Sequence, residues 1–267
     1  MTMVSGWDDA DTARMYERFC RRHRRYRIAN DALASHASLG PGMRVLDVAA
    51  GTGRTAEAIL PRLGDTGRVL CVEPAAAMRL TGAKRLHEAR VTWLESLPHE
   101  GACFDRVVCG AAVWQLLPLE TTIERLSRML AAGGALVFNM PALYLREPDR
   151  PGGGRDPLLL ELPALIERSA SAGQYPGDRS GGLAPGAQAV EQMLMANGLR
   201  VERWSFDVRI TQAAYRDWLK IPPTSDGMLA GLTIDERVRR IDRAYALADR
   251  RSWRWERWLG WTAWRTR

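Results

Sequence analysis

Arg44-Val45-Leu46-Asp47-Val48-Ala49-Ala50-Gly51-Thr52-Gly53-Arg54 is the stretch on which the reading of this chain turns. Val45, Leu46 and Val48 are aliphatic and bracket Asp47, as in a short strand buried on both faces of a parallel sheet. Five small residues follow, and they let the backbone turn tightly and approach a ligand. From Arg54 to Leu63 the pattern is helical, so the loop feeds a helix N-terminus whose free N–H groups attract negative charge. A strand, a small-residue turn and a helix together describe a nucleotide-type site.

Two readings of that site compete. Gly51-Thr52-Gly53-Arg54-Thr55-Ala56 fits the dinucleotide pattern G-x-G-x-x-G/A, with Glu73 about 20 residues on at the end of the next strand. The same residues resemble motif I of the class I S-adenosylmethionine-dependent methyltransferases, and the acidic residue decides between the two. A dehydrogenase strand passes directly into its first glycine, because a carboxylate there would repel the pyrophosphate on the helix terminus. Asp47 stands four residues before Gly51. The resemblance implies that it receives the cationic amino group of the cofactor's methionine moiety. Ala49 occupies the place of the usual first glycine, a change of one methyl group.

Later segments extend the resemblance from about residue 44 to about residue 140, in the pattern of the small-molecule, UbiE-like members. Arg68 to Glu73 reads as the second strand, and Glu73 at its end would accept from the ribose hydroxyls. Pro74 to Met78 opens a helix, with Met78 against the adenine. Val91 to Leu94 is a third strand leading into Trp93-Leu94-Glu95-Ser96-Leu97-Pro98, similar to the family's adenine-contacting segment. Trp93 stands where an Asp or Ser often bonds the adenine amino group, so the backbone N–H of Leu94 takes that contact, and Glu95 matches the motif's Glu. Phe104-Asp105 sits in the family's "FD" position on a fourth strand. Gly110, Ala111 and Ala112 would face the methionine part, with Trp114 and Gln115 near the reactive end. The resemblance thus places Asp47, Ala49, Gly51, Thr52, Gly53, Glu73, Pro74, Met78, Leu94, Glu95, Gly110, Ala111 and Gln115 around S-adenosyl-L-methionine. The product would be S-adenosyl-L-homocysteine. No Asn/Asp-Pro-Pro-aromatic run follows the fourth strand, which argues against a nucleobase acceptor.

Composition bounds the rest. At 267 residues the chain can bury one sizeable core with appended caps. No apolar run is long enough to span a bilayer, and Met1 to Asp11 is too polar and acidic for a signal peptide. The four cysteines (Cys20, Cys71, Cys103, Cys109) lack C-x-x-C spacing, which fits packing thiols in a reduced, cytoplasmic setting. The net charge of +7 comes almost entirely from arginine. No Asp/His cluster suggests a metal site.

Asp8 to Ala37 reads as helix, broken once at most, with Ala13, Tyr16, Cys20, His23, Tyr26, Leu33 and Ala37 on one stripe. The cluster Arg21 to Arg27 across it reads as a solvated face more than as a nucleic-acid arm. In the family, N-terminal helices cover cofactor and acceptor, so Tyr16 and Tyr26 would line that pocket. His23 is the candidate base there, with His99 behind it. Helix Thr121 to Leu130 turns through Ala131 to Gly134 into strand Ala135 to Asn139. Tyr144 beyond it is a substrate candidate with Trp114. A Gly/Pro-rich insertion, with a helix at Leu158 to Ala172, would form a lid. Val190 to Asn197, Ala213 to Leu219 and Asp235 to Arg250 read as helices, and Val201 to Ile210 as a sixth strand. Five tryptophans fill the tail, with a last strand from Trp258 to Trp264 whose rings pack on neighbouring helices.

The fold that the resemblance implies is α/β, Rossmann-like: a seven-stranded, mostly parallel sheet with the last strand reversed, plus a helical cap. Residues 1–40 form the N-terminal cap, 41–145 the cofactor-binding core and 146–186 the lid. Residues 187–267 complete the core, with a second cap piece at 211–252. The expected activity is methyl transfer to a small organic acceptor, a natural product or other specialised metabolite. Nucleic acid and membrane insertion are not expected, and a homodimer is open. An RNA or protein methyltransferase, a non-methylating protein that keeps the cofactor, and a nicotinamide-dependent oxidoreductase are the alternatives in descending order.

Overall fold

A computed structural model describes residues 6–99, 101–145, 186–226, 229 and 231–266. The 146–185 part of the expected lid, including its helix, lies outside the described residues.

The organising strand forms as its apolar run requires. β1 (Arg44–Val48) is buried from Val45 onward and pairs in parallel with β2 (Arg68–Val72) on one side and β4 (Phe104–Cys109) on the other. β3 (Val91–Leu94) extends the sheet beyond β2. β5 (Leu130–Pro141) extends it beyond β4. The long C-terminal strands β6 (Leu199–Thr211) and β7 (Trp253–Arg265) close the far edge, giving the order β3-β2-β1-β4-β5-β7-β6. β7 runs antiparallel to both neighbours. The seven-stranded sheet with a reversed last strand is therefore as expected.

The expected turn at Ala131 to Gly134 is instead absorbed into β5. The strand starts at Leu130, and the register shifts between Phe104 and Arg106 where Gly133 adopts φ +73°. A bulge at a positive-φ glycine bends the strand without ending it.

Helices cover both faces. α2 (Arg25–His36) and α3 (Arg54–Ile59) pack on one, around Leu33, Ala56, Ile59 and Val108. α5 (Leu119–Arg128) and α6 (Ala187–Ala196) lie over the other, where Ile123, Leu126, Leu136 and Trp261 form the largest cluster. α4 (Ala76–Arg85) follows β2. The expected first helix breaks at His23 and Arg24, so α1 (Ala10–Arg22) leaves the sheet and joins a cap. Its partners there are α7 (Gln212–Leu219) and α8 (Ile234–Leu247), around Phe19, Tyr26, Trp218 and Trp258. Trp258 and Trp261 are fully buried, as large rings on a central strand should be. No helix among the described residues is long and apolar enough to cross a membrane.

Strand order reverses between β1 and β4, because the chain runs outward through β2 and β3 and then returns to the other side of β1. The C-terminal ends of strands on either side of such a reversal leave a crevice, the usual ligand position in open α/β sheets.

Candidate active site

A cavity of about 640 Å³, counting the solvent at its mouth, occupies that crevice. Its floor is the motif loop, with Ala49, Ala50 and Gly51. Glu73 and Met78 stand at the β2 end, and Gly110, Ala111, Ala112 and Gln115 at the β4 end. Trp7, Tyr16 and Tyr26 roof it, with rings in mutual contact at centroid separations of 5.9 and 5.6 Å.

The loop earns its small residues. Ala49 and Ala111 adopt φ +53° and +54°, the left-handed region that few residues other than glycine enter. Gly53 is also left-handed, and a Cβ there would meet the Trp93 ring at 3.0 Å. At Gly110 a Cβ would lie 2.3 Å from Thr55 Oγ1 and 2.9 Å from Asn30 Oδ1, so α2, α3 and the end of β4 converge only around a glycine.

Glu73 is 2% exposed, and each of its oxygens accepts one backbone N–H: Oε2 from Gly51 (2.8 Å) and Oε1 from Ala75 (2.9 Å). Burial raises its pKa against those two bonds. A carboxylate oxygen has two lone pairs, so acceptor capacity remains toward the cavity. That suits a vicinal diol.

Asp47 is placed differently from its expected role. It does not line the cavity; its Oδ2 accepts from the Ala56 N–H (3.1 Å) in the first turn of α3. Oδ1 is buried without a partner, and burial pushes the carboxyl up to about 8. One oxygen thus makes a helix-capping contact, and the other has no partner among the described residues. What survives is a latent negative charge beneath the loop.

The other expected residues divide as follows. Ala49, Gly51, Glu73, Met78, Gly110, Ala111, Gln115, Tyr16 and Tyr26 come together in the cavity lining. Thr52, Gly53, Pro74, Leu94 and Glu95 do not line it. Thr52 is fully buried and its hydroxyl donates to Glu17. The Leu94 carbonyl accepts from the Glu73 N–H (2.9 Å), and Glu95 reaches outward to Arg79 (3.3 Å). Trp114 and Tyr144 stack on each other at 4.5 Å outside the lining. His23 lies off the cavity, with Nε2 2.8 Å from Asp217 Oδ2. Burial works against the Asp217 carboxylate, yet hydrogen bonds from His23 and Arg216 hold it at about 2. His99 is exposed. Neither histidine has the geometry of a base at this site.

Sequence reading missed Trp7, Asn30, Arg54 and Thr55 in the lining, and Glu17 behind it. Glu17 on α1 accepts from Thr52 Oγ1 and from Arg54 Nε (3.2 Å) and Nη2 (2.5 Å), with Arg85 Nε 3.8 Å away. Arg85 also donates twice to the Thr52 carbonyl (3.1 and 2.9 Å). One buried carboxylate thus ties the roof helix to the motif loop. Its only sequence signal was an acid on an otherwise apolar stripe. Asn139 at the end of β5 accepts from the Ala111 N–H (3.0 Å) and donates to the Ala29 carbonyl (2.8 Å), fixing α2 against the 110–112 turn.

Known proteins resemble this chain in sequence over its first five strands and in fold over most of its length. Residues 46–138 match a family model described as a methyltransferase domain. The chain is 30% identical over 129 residues to the ubiquinone/menaquinone biosynthesis C-methyltransferase UbiE of Coxiella burnetii, covering 44% of this chain and 52% of that one. It thus spans about half the length of the curated relatives it matches. The YcgJ protein of Bacillus subtilis superposes with a TM-score of 0.58 at 16% identity, over 90% of this chain and 99% of that one. A phosphoethanolamine N-methyltransferase of Haemonchus contortus, solved with S-adenosylhomocysteine, gives 0.54 at 18% identity, over 89% and 52%. These structural likenesses are of fold. Residues 46–138 thus form a methyltransferase domain, and both the motif loop and the strand-end Glu73 lie within it.

Proposed function

We propose that this protein transfers a methyl group from S-adenosyl-L-methionine to a small organic acceptor. Glu73 carries the reading: a strand-end carboxylate at the point of strand reversal, fixed by two backbone N–H groups, with spare acceptor capacity toward the cavity. When bound, the cofactor supplies an electrophilic methyl on sulfonium. Glu73 would hold the ribose, Met78 would pack on the base, and the 110–112 turn would flank the amino-acid end.

The chain's own contribution is position and exclusion of water. The Trp7–Tyr16–Tyr26 roof covers the cavity, which favours an acceptor small enough to enter beside the cofactor over RNA or protein. Burial raises the pKa of both Tyr16 and Tyr26, so their hydroxyls serve as donors and not as bases. Glu73 is committed to two N–H groups. This reading assigns no general base, and it suits an acceptor already nucleophilic at neutral pH. A specialised metabolite fits it, as does a part in quinone biosynthesis like that of the UbiE relatives.

Calorimetric titration with S-adenosylhomocysteine tests the cofactor. Wild type should bind, and Glu73→Ala should weaken binding at least tenfold, on the order of 1.4 kcal/mol or more. Transfer of labelled methyl from the cofactor into metabolite, RNA and protein fractions tests the acceptor. Label confined to macromolecules would overturn the small-acceptor reading.

A further inference from the structure

Asp47 is expected to meet the amino group of the cofactor's amino-acid tail, which leaves the tail's carboxylate to be met by the cavity lining. Glu73 and Met78 fix the nucleoside at the β2 end, so the tail must run toward the β4 end, where Asn30, Thr55 and Gly110 converge.

Asn30 is 5% exposed. One end of its amide accepts from Thr55 Oγ1 (3.2 Å), and the other end makes no hydrogen bond among the described residues. A second cavity, of about 910 Å³ on the same measure, runs between α2 and α3 and meets the first at Tyr26, Asn30 and Arg54. Asn30 lines both cavities of this crevice, so its free end is open to a ligand or a water there. Arg27 and Arg62 line the second cavity beyond the junction, while Arg54 at the junction is paired with Glu17 and Glu57. Asn139 pins α2 to the 110–112 turn through the Ala29 carbonyl, one residue before Asn30, which fixes the amide in place.

We propose that the free end of the Asn30 amide donates to the carboxylate of the cofactor's amino-acid tail, at the junction of the two cavities beside Arg54. The assignment rests on the methyltransferase reading and gives α2 a part in cofactor selection. Asn30 then distinguishes the whole cofactor from a truncated nucleoside, because only the former brings a carboxylate to meet it.

Three probes separate the outcomes by titration calorimetry: S-adenosylhomocysteine, its decarboxylated analogue, and 5′-methylthioadenosine, which lacks the tail. Wild type should bind the first about tenfold or more tighter than the second, the usual worth of a hydrogen bond to a charged group. Asn30→Ala should weaken S-adenosylhomocysteine by a similar factor and leave 5′-methylthioadenosine within about twofold. Asn30→Asp, which sets an anion against the carboxylate, should cost more for S-adenosylhomocysteine alone. Equal losses for both nucleosides in Asn30→Ala would show a purely structural role and overturn the proposal. So would equal wild-type affinity for S-adenosylhomocysteine and its decarboxylated analogue, a result that needs no variant to fold. Failure of wild type to bind any of the three would instead overturn the methyltransferase reading, and this assignment with it.

Discussion

At the scale of single residues, Asp47 shows how burial stores charge for a ligand. Its pKa of about 8 comes first from desolvation, opposed by the Ala56 N–H and reinforced by Glu73. In the ligand-free protein the group is mostly protonated at neutral pH. A cationic ligand over the loop favours the carboxylate, so binding should release a proton. The affinity for S-adenosylmethionine should therefore rise between about pH 6 and about pH 7.5, by at most tenfold per unit. Calorimetry in two buffers of different ionisation heat reads the released proton directly, and Asp47→Asn should abolish the slope. The sign for folding is opposite. A folded-state pKa above the unfolded one stabilises the ligand-free fold below the unfolded value, and that contribution fades as pH rises toward 8. Ala49 carries a different cost. At φ +53° an alanine is strained by roughly 1 kcal/mol, partly offset by the greater unfolded freedom of glycine. Ala49→Gly should raise unfolding free energy by about 0.5 kcal/mol in urea titration without weakening cofactor binding.

Among the elements, α1 is the one whose placement makes the cavity. It contributes Tyr16 to the roof and Glu17 to the latch on Thr52 and Arg54, and Asp8 just before it accepts from the Ala77 N–H (3.1 Å). Glu17→Ala would leave Arg54 and Arg85, each about a fifth exposed, without their shared carboxylate, although Glu57 still pairs with both. The expected loss is about 2 kcal/mol, less than for a fully buried pair because solvent and Glu57 compensate in part. Stopped-flow measurement should also show faster release of S-adenosylhomocysteine from this variant. An unchanged release rate would mean that α1 does not gate the site.

Across the whole molecule, α2 is joined to β7 by an ion pair between residues 231 positions apart in sequence. Arg25 Nε and Nη2 donate to Glu256 at 2.8 and 2.7 Å, and the guanidinium lies 4.6 Å from the Trp218 ring. Trp258 Nε1 also donates to Glu256 (2.8 Å). Burial alone would raise the Glu256 pKa, but Arg25 and Arg254 outweigh it and hold the carboxylate ionised. Glu256→Ala should cost about 3–5 kcal/mol by stranding Arg25 among aromatic rings. The double change Arg25→Met, Glu256→Leu should recover most of that in denaturant unfolding, and no recovery would mean that the pair has no apolar substitute.

The sequence by itself determined the strands, the motif loop and Glu73, because these rest on local patterns: aliphatic runs, small residues at a turn and a strand-end acid at fixed spacing; the reversal of the last strand followed from the family resemblance alone. The helical stripe turned Tyr16 and Tyr26 inward, and the family resemblance supplied the cavity they would line. Only the tertiary structure decided where polar groups on different elements meet. Arg25 stood in a cluster that read as solvated, and Glu256 lies far along the chain. His23 shares the stripe of Tyr16, yet it turns to Asp217 because the helix breaks beside it. Asp47 has the right residue type in the right place, but an N–H at the start of α3 reaches its carboxylate first. Apolar periodicity records burial; the partner a buried polar group finds is set by packing between elements far apart in sequence, and no local pattern encodes that choice.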